Sequence, residues 1–251
     1  MGDGVNDPTP YNPLDMKNLG ASIAEALLGR KPSALGDLKI FRGAGIYAIY
    51  YTGDLKPYEL LAARNREDRF EAPIYVGKAV PKGARKGLRE NLDGTSSRAL
   101  FDRLAEHAES IRANQRQAED IAAKTQLRID DFFCRYLVVE DIWIPLGESL
   151  LIAKFAPIWN HLVDGFGNHD PGAGRYQGKR PLWDVLHPGR VWALRCAGRD
   201  DTAEGIAMQV EAFLRTTPVP ASSHFYVEQR RGVYNVTLAE PPTNKSPLDG
   251  A

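Results

Sequence analysis

An α+β fold is predicted for this chain by three observations. Two short runs rich in tyrosine and β-branched residues, 45–51 (GIYAIYY) and 72–79 (APIYVGKA), read as strands. Downstream, Leu100, Leu104 and Ala108 recur at helical spacing. A third strand-like run, 132–140 (FFCRYLVVE), then precedes a helix opened by Pro145. With 251 residues and 43% hydrophobic content, the resulting β-β-α-β-α order can bury a core unaided.

Taken in order, residues 1–39 form a Pro/Asn/Asp-rich arm and a helix in which Leu19, Ile23, Ala24, Leu27 and Leu28 share one face before Gly29 stops it. Residues 40–162 carry the core. Its first two strands are joined through Gly53 and a short helix from Pro57. Ser96 or Ser97 caps the next helix, which runs through Ile111, and the polar stretch to about Leu127 either extends it or frays. The Pro145 helix contains Glu148 and ends before Pro157. Residues 163–251 are read as an extension packed on the core: a Gly/Asp/His-rich loop, a basic segment and a strand-like run at Val191–Cys196. A helix near Ala203–Leu214, strand-like runs at His224–Gln229 and Val233–Leu238, and a loose polar tail from Pro241 complete it.

Globally, 32 basic and 32 acidic residues cancel, which argues mildly against a nucleic-acid partner. Locally the balance differs. Lys78, Lys82, Arg85, Lys86 and Arg89 stand in one stretch against Glu90, and Arg175, Gln177, Lys179 and Arg180 crowd a second, glycine-rich loop. Either segment alone also reads as an ordinary solvated loop. The two cysteines, Cys134 and Cys196, lie in apolar runs and support neither a disulfide framework nor a zinc site. With no apolar stretch suited to a signal peptide or a membrane span, a cytoplasmic protein is expected. The glycines at 172–178 lack the strand and helix context of a phosphate loop.

The chemistry-bearing set is Tyr47, Tyr75, Arg103, His107, Glu148 and Asn160. Arg103 and His107, four apart, stack on one helix face, so a cation and an imidazole address one spot. Singly, each member has an ordinary explanation: strand aromatics, an exposed helical pair, a first-turn acid, a turn amide. As an ordered set, with Gly45-Ile46-Tyr47 and Tyr75-Val76-Gly77 leading it, they resemble the GIY-YIG nuclease superfamily over about residues 40–162. Further features are similar to the superfamily's type II restriction endonucleases that cut CCGCGG: His107 one turn after Arg103, the flanks FRGAGIYAIYYTG and PIYVGKA, and WDVLHPGR at 183–190. That narrower resemblance runs from Asn12-Pro13-Leu14 to about Trp192.

The resemblance implies a small core with a central three-stranded antiparallel sheet flanked by helices, and metal-dependent hydrolysis of duplex DNA at a palindromic, GC-rich site. Tyr47 would be the general base or would orient the water. Since a free phenol titrates near pH 10, a cation from Arg103, Arg42 or Lys78 is expected to lower it, with His107 as proton relay. Arg103 would grip the phosphate, and Glu148 would hold one Mg²⁺. Tyr75 and Asn160 would orient water, phosphate or the Glu148 carboxylate. Arg42, Lys78, Lys82, Arg85, Lys86, Arg175, Gln177, Lys179, Arg180 and Arg190 are the expected DNA contacts. A palindrome implies a homodimer on DNA, and restriction implies a protecting DNA methyltransferase in the same system. Two other readings keep the scaffold: a repair or structure-specific nuclease, and a DNA-binding module that does not cut.

Overall fold

A computed structural model describes residues 10–81, 97–118, 126–172 and 176–217, with the backbone of 225–230 and 233–238. Asp15 caps helix α1 (Met16–Leu28) by accepting from the Lys17 N–H, and Gly29 ends it. Strand β1 (Ser33–Ala34) and a 3₁₀ turn lead to β2 (Gly45–Tyr51); a short α2 (Glu59–Ala62) precedes β3 (Tyr75–Ala79). Helix α3 (Ala99–Ala118) is followed by β4 (Phe132–Val138) and by α4 (Ile144–Phe155), which opens on Pro145. Ala156, in the left-handed region, and Pro157 stop α4 and start α5 (Ile158–His161). Beyond it come α6 (Leu182–Leu186), α7 (Val191–Leu194), α8 (Ala203–Thr216) and the hairpin β5 (Phe225–Arg230) and β6 (Val233–Leu238).

The main sheet has the order β1-β4-β2-β3, antiparallel throughout. It is four-stranded where three strands were expected. The added strand, Ser33–Ala34, is too short to show alternation in sequence and exists only because it pairs with Phe133 and Cys134. Every residue of β2 is buried, because β2 is central and both of its faces are covered. Strand pleating divides its side chains. Tyr47, Ile49 and Tyr51 enter a core built with α3, α5, α6 and α8. Ile46, Ala48 and Tyr50 enter a second core with α1 and α4. The backbone of the β5–β6 hairpin lies beside α1 and α4.

One further correction concerns 191–196, expected as a strand. An apolar run this short is ambiguous between strand and helix. Here Arg180 donates through Nε to the Ala193 carbonyl at 3.1 Å, and among the described residues 191–196 pairs with no strand; the run closes into the single turn of α7. Both cysteines are free thiols. Among the described residues no helix is long and apolar enough to cross a membrane.

Candidate active site

Tyr47 projects from β2 into the α3 layer with no exposed surface, and its hydroxyl lies 2.6 Å from Nε2 of His107. The His107 ring stacks on Phe166 at 4.4 Å. Burial, reinforced by Tyr75 and opposed by Arg103, holds the Tyr47 phenol well above its ordinary range. Burial also pushes the His107 imidazole well below its ordinary value, helped by Arg103, Arg190 and His169. Both groups are neutral, so the His107 tautomer sets the direction of the bond: with the ring proton on Nδ1, Tyr47 donates and Nε2 accepts. The expectation that a neighbouring cation draws Tyr47 toward phenolate is therefore corrected. Arg103 does pull that way, but desolvation outweighs it.

Gly77 sits opposite Tyr47 across the β2–β3 ladder, and a Cβ there would come 2.4 Å from the Tyr47 hydroxyl oxygen. Only a glycine lets the phenol lie across β3. Beside it, Tyr75 stands with its ring centroid 6.2 Å from that of Tyr47. The Tyr75 hydroxyl rests on Gly167, where a Cβ would approach within 2.4 Å. The same residue receives Arg103, whose Nη2 donates to the Gly167 carbonyl. Arg103 Nη1 donates to Glu106 Oε2 at 3.0 Å and to His169 Nε2 at 2.7 Å.

Glu148 approaches from α4, on the other face of the sheet, and pairs with Lys78 Nζ at 2.6 Å. The faces meet because β3 is an edge strand. Around that edge Tyr75, Lys78, Arg103 and Glu148 line one open cleft of about 780 Å³. A family model described as the Eco29kI GIY-YIG domain matches residues 39–214. The chain belongs to this family of restriction endonucleases. It is thus a GIY-YIG nuclease, a hydrolase whose macromolecular partner is DNA. No curated protein matches the chain.

In this GIY-YIG nuclease the sequence-predicted residues do not all meet. Asn160 stands apart from the cleft: its Oδ1 accepts from the Val76 N–H at 2.8 Å, and its Nδ2 donates to the Val76 carbonyl at 2.9 Å. Through these two bonds Asn160 caps the free edge of β3 at Val76. Among the expected DNA contacts, Lys78 lines the cleft, and Arg42, Gln177 and Lys179 are exposed. Arg180 is partly spent on the α7 carbonyls. Arg190 requires correction. It is only 6% exposed, paired with Asp184 and stacked between Trp183 and Trp192, so it contacts no DNA from this position. Lys82, Arg85, Lys86 and Arg175 lie outside the described residues, as do the Pro241 tail and Ser96; Ser97 Oγ accepts from Ala99 N–H at the start of α3.

Sequence reasoning passed over Gly167, His169 and Glu106, all of which line the cleft. A signal was there: two glycines around an aromatic, then a histidine, within ten residues of Asn160.

Proposed function

We propose that this nuclease is a type II restriction endonuclease that cuts duplex DNA at a palindromic, GC-rich site, CCGCGG, with one Mg²⁺ per active site. The observation that carries the reading is the joining of a phenol–imidazole pair, a guanidinium and a carboxylate at one strand edge. Hydrolysis needs a proton acceptor for the attacking water, and a lone buried phenol is a poor one. With His107 behind it, Tyr47 takes the water proton as its own proton passes to Nε2, so no free phenolate forms. The incoming phosphate charge favours the imidazolium that results. Tyr47 has no exposed surface without DNA, so admitting the water requires the side chains around its hydroxyl to move. Arg103 Nη1 then exchanges Glu106 and His169 for phosphate oxygens.

The donor set fits a hard ion. Glu148 offers carboxylate oxygens to the cleft and already draws a cation, Lys78, to 2.6 Å. Mg²⁺ commonly binds through one or two carboxylates and keeps its remaining waters. Bound there, it would neutralise charge on the phosphate and the leaving oxygen. Exposed Gln177 and Lys179 suit base edges, and Arg42 and Lys78 suit phosphates. Matching half-sites call for two copies of the chain on DNA, and host DNA carrying the site needs a protecting methyltransferase.

The test is digestion of an unmethylated plasmid bearing CCGCGG with purified protein and Mg²⁺, beside EDTA and Glu148→Ala controls. Fragments ending at those sites and lost in both controls are expected. Fragments that end elsewhere remove the sequence assignment, and an intact plasmid that the protein still binds removes the cutting.

A further inference from the structure

We infer that Arg190 is a positioning residue for the active site, holding the 165–169 loop against Arg103 and Tyr75. The inference rests on the nuclease reading above. Arg190 had been grouped with the DNA contacts, yet its guanidinium is enclosed. Nε donates to Asp184 Oδ1 at 2.7 Å, and Nη2 reaches the other carboxylate oxygen. The remaining N–H groups turn to one loop: Nη1 donates to the Phe166 and Asn168 carbonyls, both at 3.1 Å, and Nη2 to the Gly165 carbonyl at 2.9 Å. A planar fork with five donors satisfies a carboxylate and a run of carbonyls together, which a lysine cannot do.

The loop so held carries the groups that touch the catalytic set. Gly167 accepts from Arg103 and supports the Tyr75 hydroxyl; Phe166 stacks on His107; His169 accepts from Arg103 Nη1. The base of the clamp is fixed independently. His187 Nε2 lies 2.7 Å from the Tyr58 hydroxyl, Trp183 is fully buried, and Asn114 on α3 donates through Nδ2 to the Pro188 carbonyl at 2.8 Å. Segment 183–190 therefore ties α3, which presents Arg103 and His107, to the loop that orients them. With Nη2 retained on Gly167, Arg103 keeps Nη1 aimed into the cleft where the phosphate arrives.

Arg190→Lys preserves the charge beside Asp184 but withdraws donors from the loop. The variant is examined by thermal melting, by hydrogen–deuterium exchange, by cognate-duplex affinity in EDTA and by single-turnover cleavage with Mg²⁺. Faster exchange confined to 165–169, with β2 and α3 as protected as in the parent, is expected. Alongside it, cleavage should fall about 100-fold, the scale of an ångström-level misplacement, at near-parental affinity. Combined with Arg103→Lys, it should cost little more than Arg103→Lys alone. Unchanged loop exchange, or parental cleavage by the folded variant, overturns the proposal, as does an exchange increase spread over the whole chain. If the parent protein itself cuts no DNA, the nuclease reading fails while loop exchange still decides the clamp.

Discussion

At the residue level, the Tyr47–His107 bond is the feature on which chemistry turns. Tyr47→Phe removes the proton acceptor but keeps the ring, so cleavage should drop by about 10²–10⁴-fold with duplex affinity unchanged. His107→Gln is the sharper probe. It leaves an acceptor for the Tyr47 hydroxyl without basicity, and a Gln variant that cuts at the parental rate would reduce His107 to an orienting role. Gly77→Ala forces a methyl to 2.4 Å from the Tyr47 hydroxyl. The phenol must then leave Nε2, and single-turnover cleavage should fall with the Tyr47→Phe variant as its floor. Parental activity in Gly77→Ala would show that the phenol has room to spare. In sequence, strand patterning places Tyr47 and Tyr75 on strands and helical spacing puts Arg103 and His107 on one face, as β2, β3 and α3 have them, whereas Glu148 and Asn160 joined the candidate set through the family resemblance. Gly167 was not legible, since it meets Arg103 across 64 positions of chain and no local period links them.

At the level of elements, β3 matters most because it is an edge whose exposed polar groups need a partner. Asn160 supplies one from α5, and the Trp159 N–H donates to the Ile74 carbonyl at 3.0 Å beside it. Asn160→Ala should cost about 1–3 kcal/mol for the groups left unpaired. Cleavage should also fall, since β3 carries Tyr75, Gly77 and Lys78; urea titration and a cleavage assay read the two effects. A stability loss without any activity loss would show that the edge holds its shape unaided. Helices with a clear apolar stripe, such as α1 and α3, were predictable because burial of that stripe decides them. Strand β1 and helix α7 were not. Each spans only about one period, too little for a pattern to repeat, and each meets a distant partner, β4 for one and Arg180 for the other.

At the level of the whole molecule, burying His107 couples folding to pH. In the unfolded chain its imidazole protonates below about pH 6.5, while in the folded chain it resists protonation. The unfolded state therefore binds the extra proton in that window. Stability is intact above about pH 6.5 and declines as pH falls through it, by at most about 1.4 kcal/mol per pH unit from this group, until the folded imidazole itself titrates. Urea midpoints at several pH values, with His107→Gln as comparison, check this. The variant should lose that part of the slope, and an identical slope would assign acid sensitivity to other groups.

Tyr75 and Lys78 lie on opposite faces of β3, and each needs its own side of the sheet. Sliding β3 along β2 by one residue would turn Tyr75 toward α4 and Lys78 toward the buried aromatic layer. Such a chain loses its cleft and its core in one stroke. Misaligned molecules should therefore not persist as feeble enzymes: in a refolding mixture, each molecule either cuts at full speed or is not folded at all, and activity per folded molecule stays constant as yield varies.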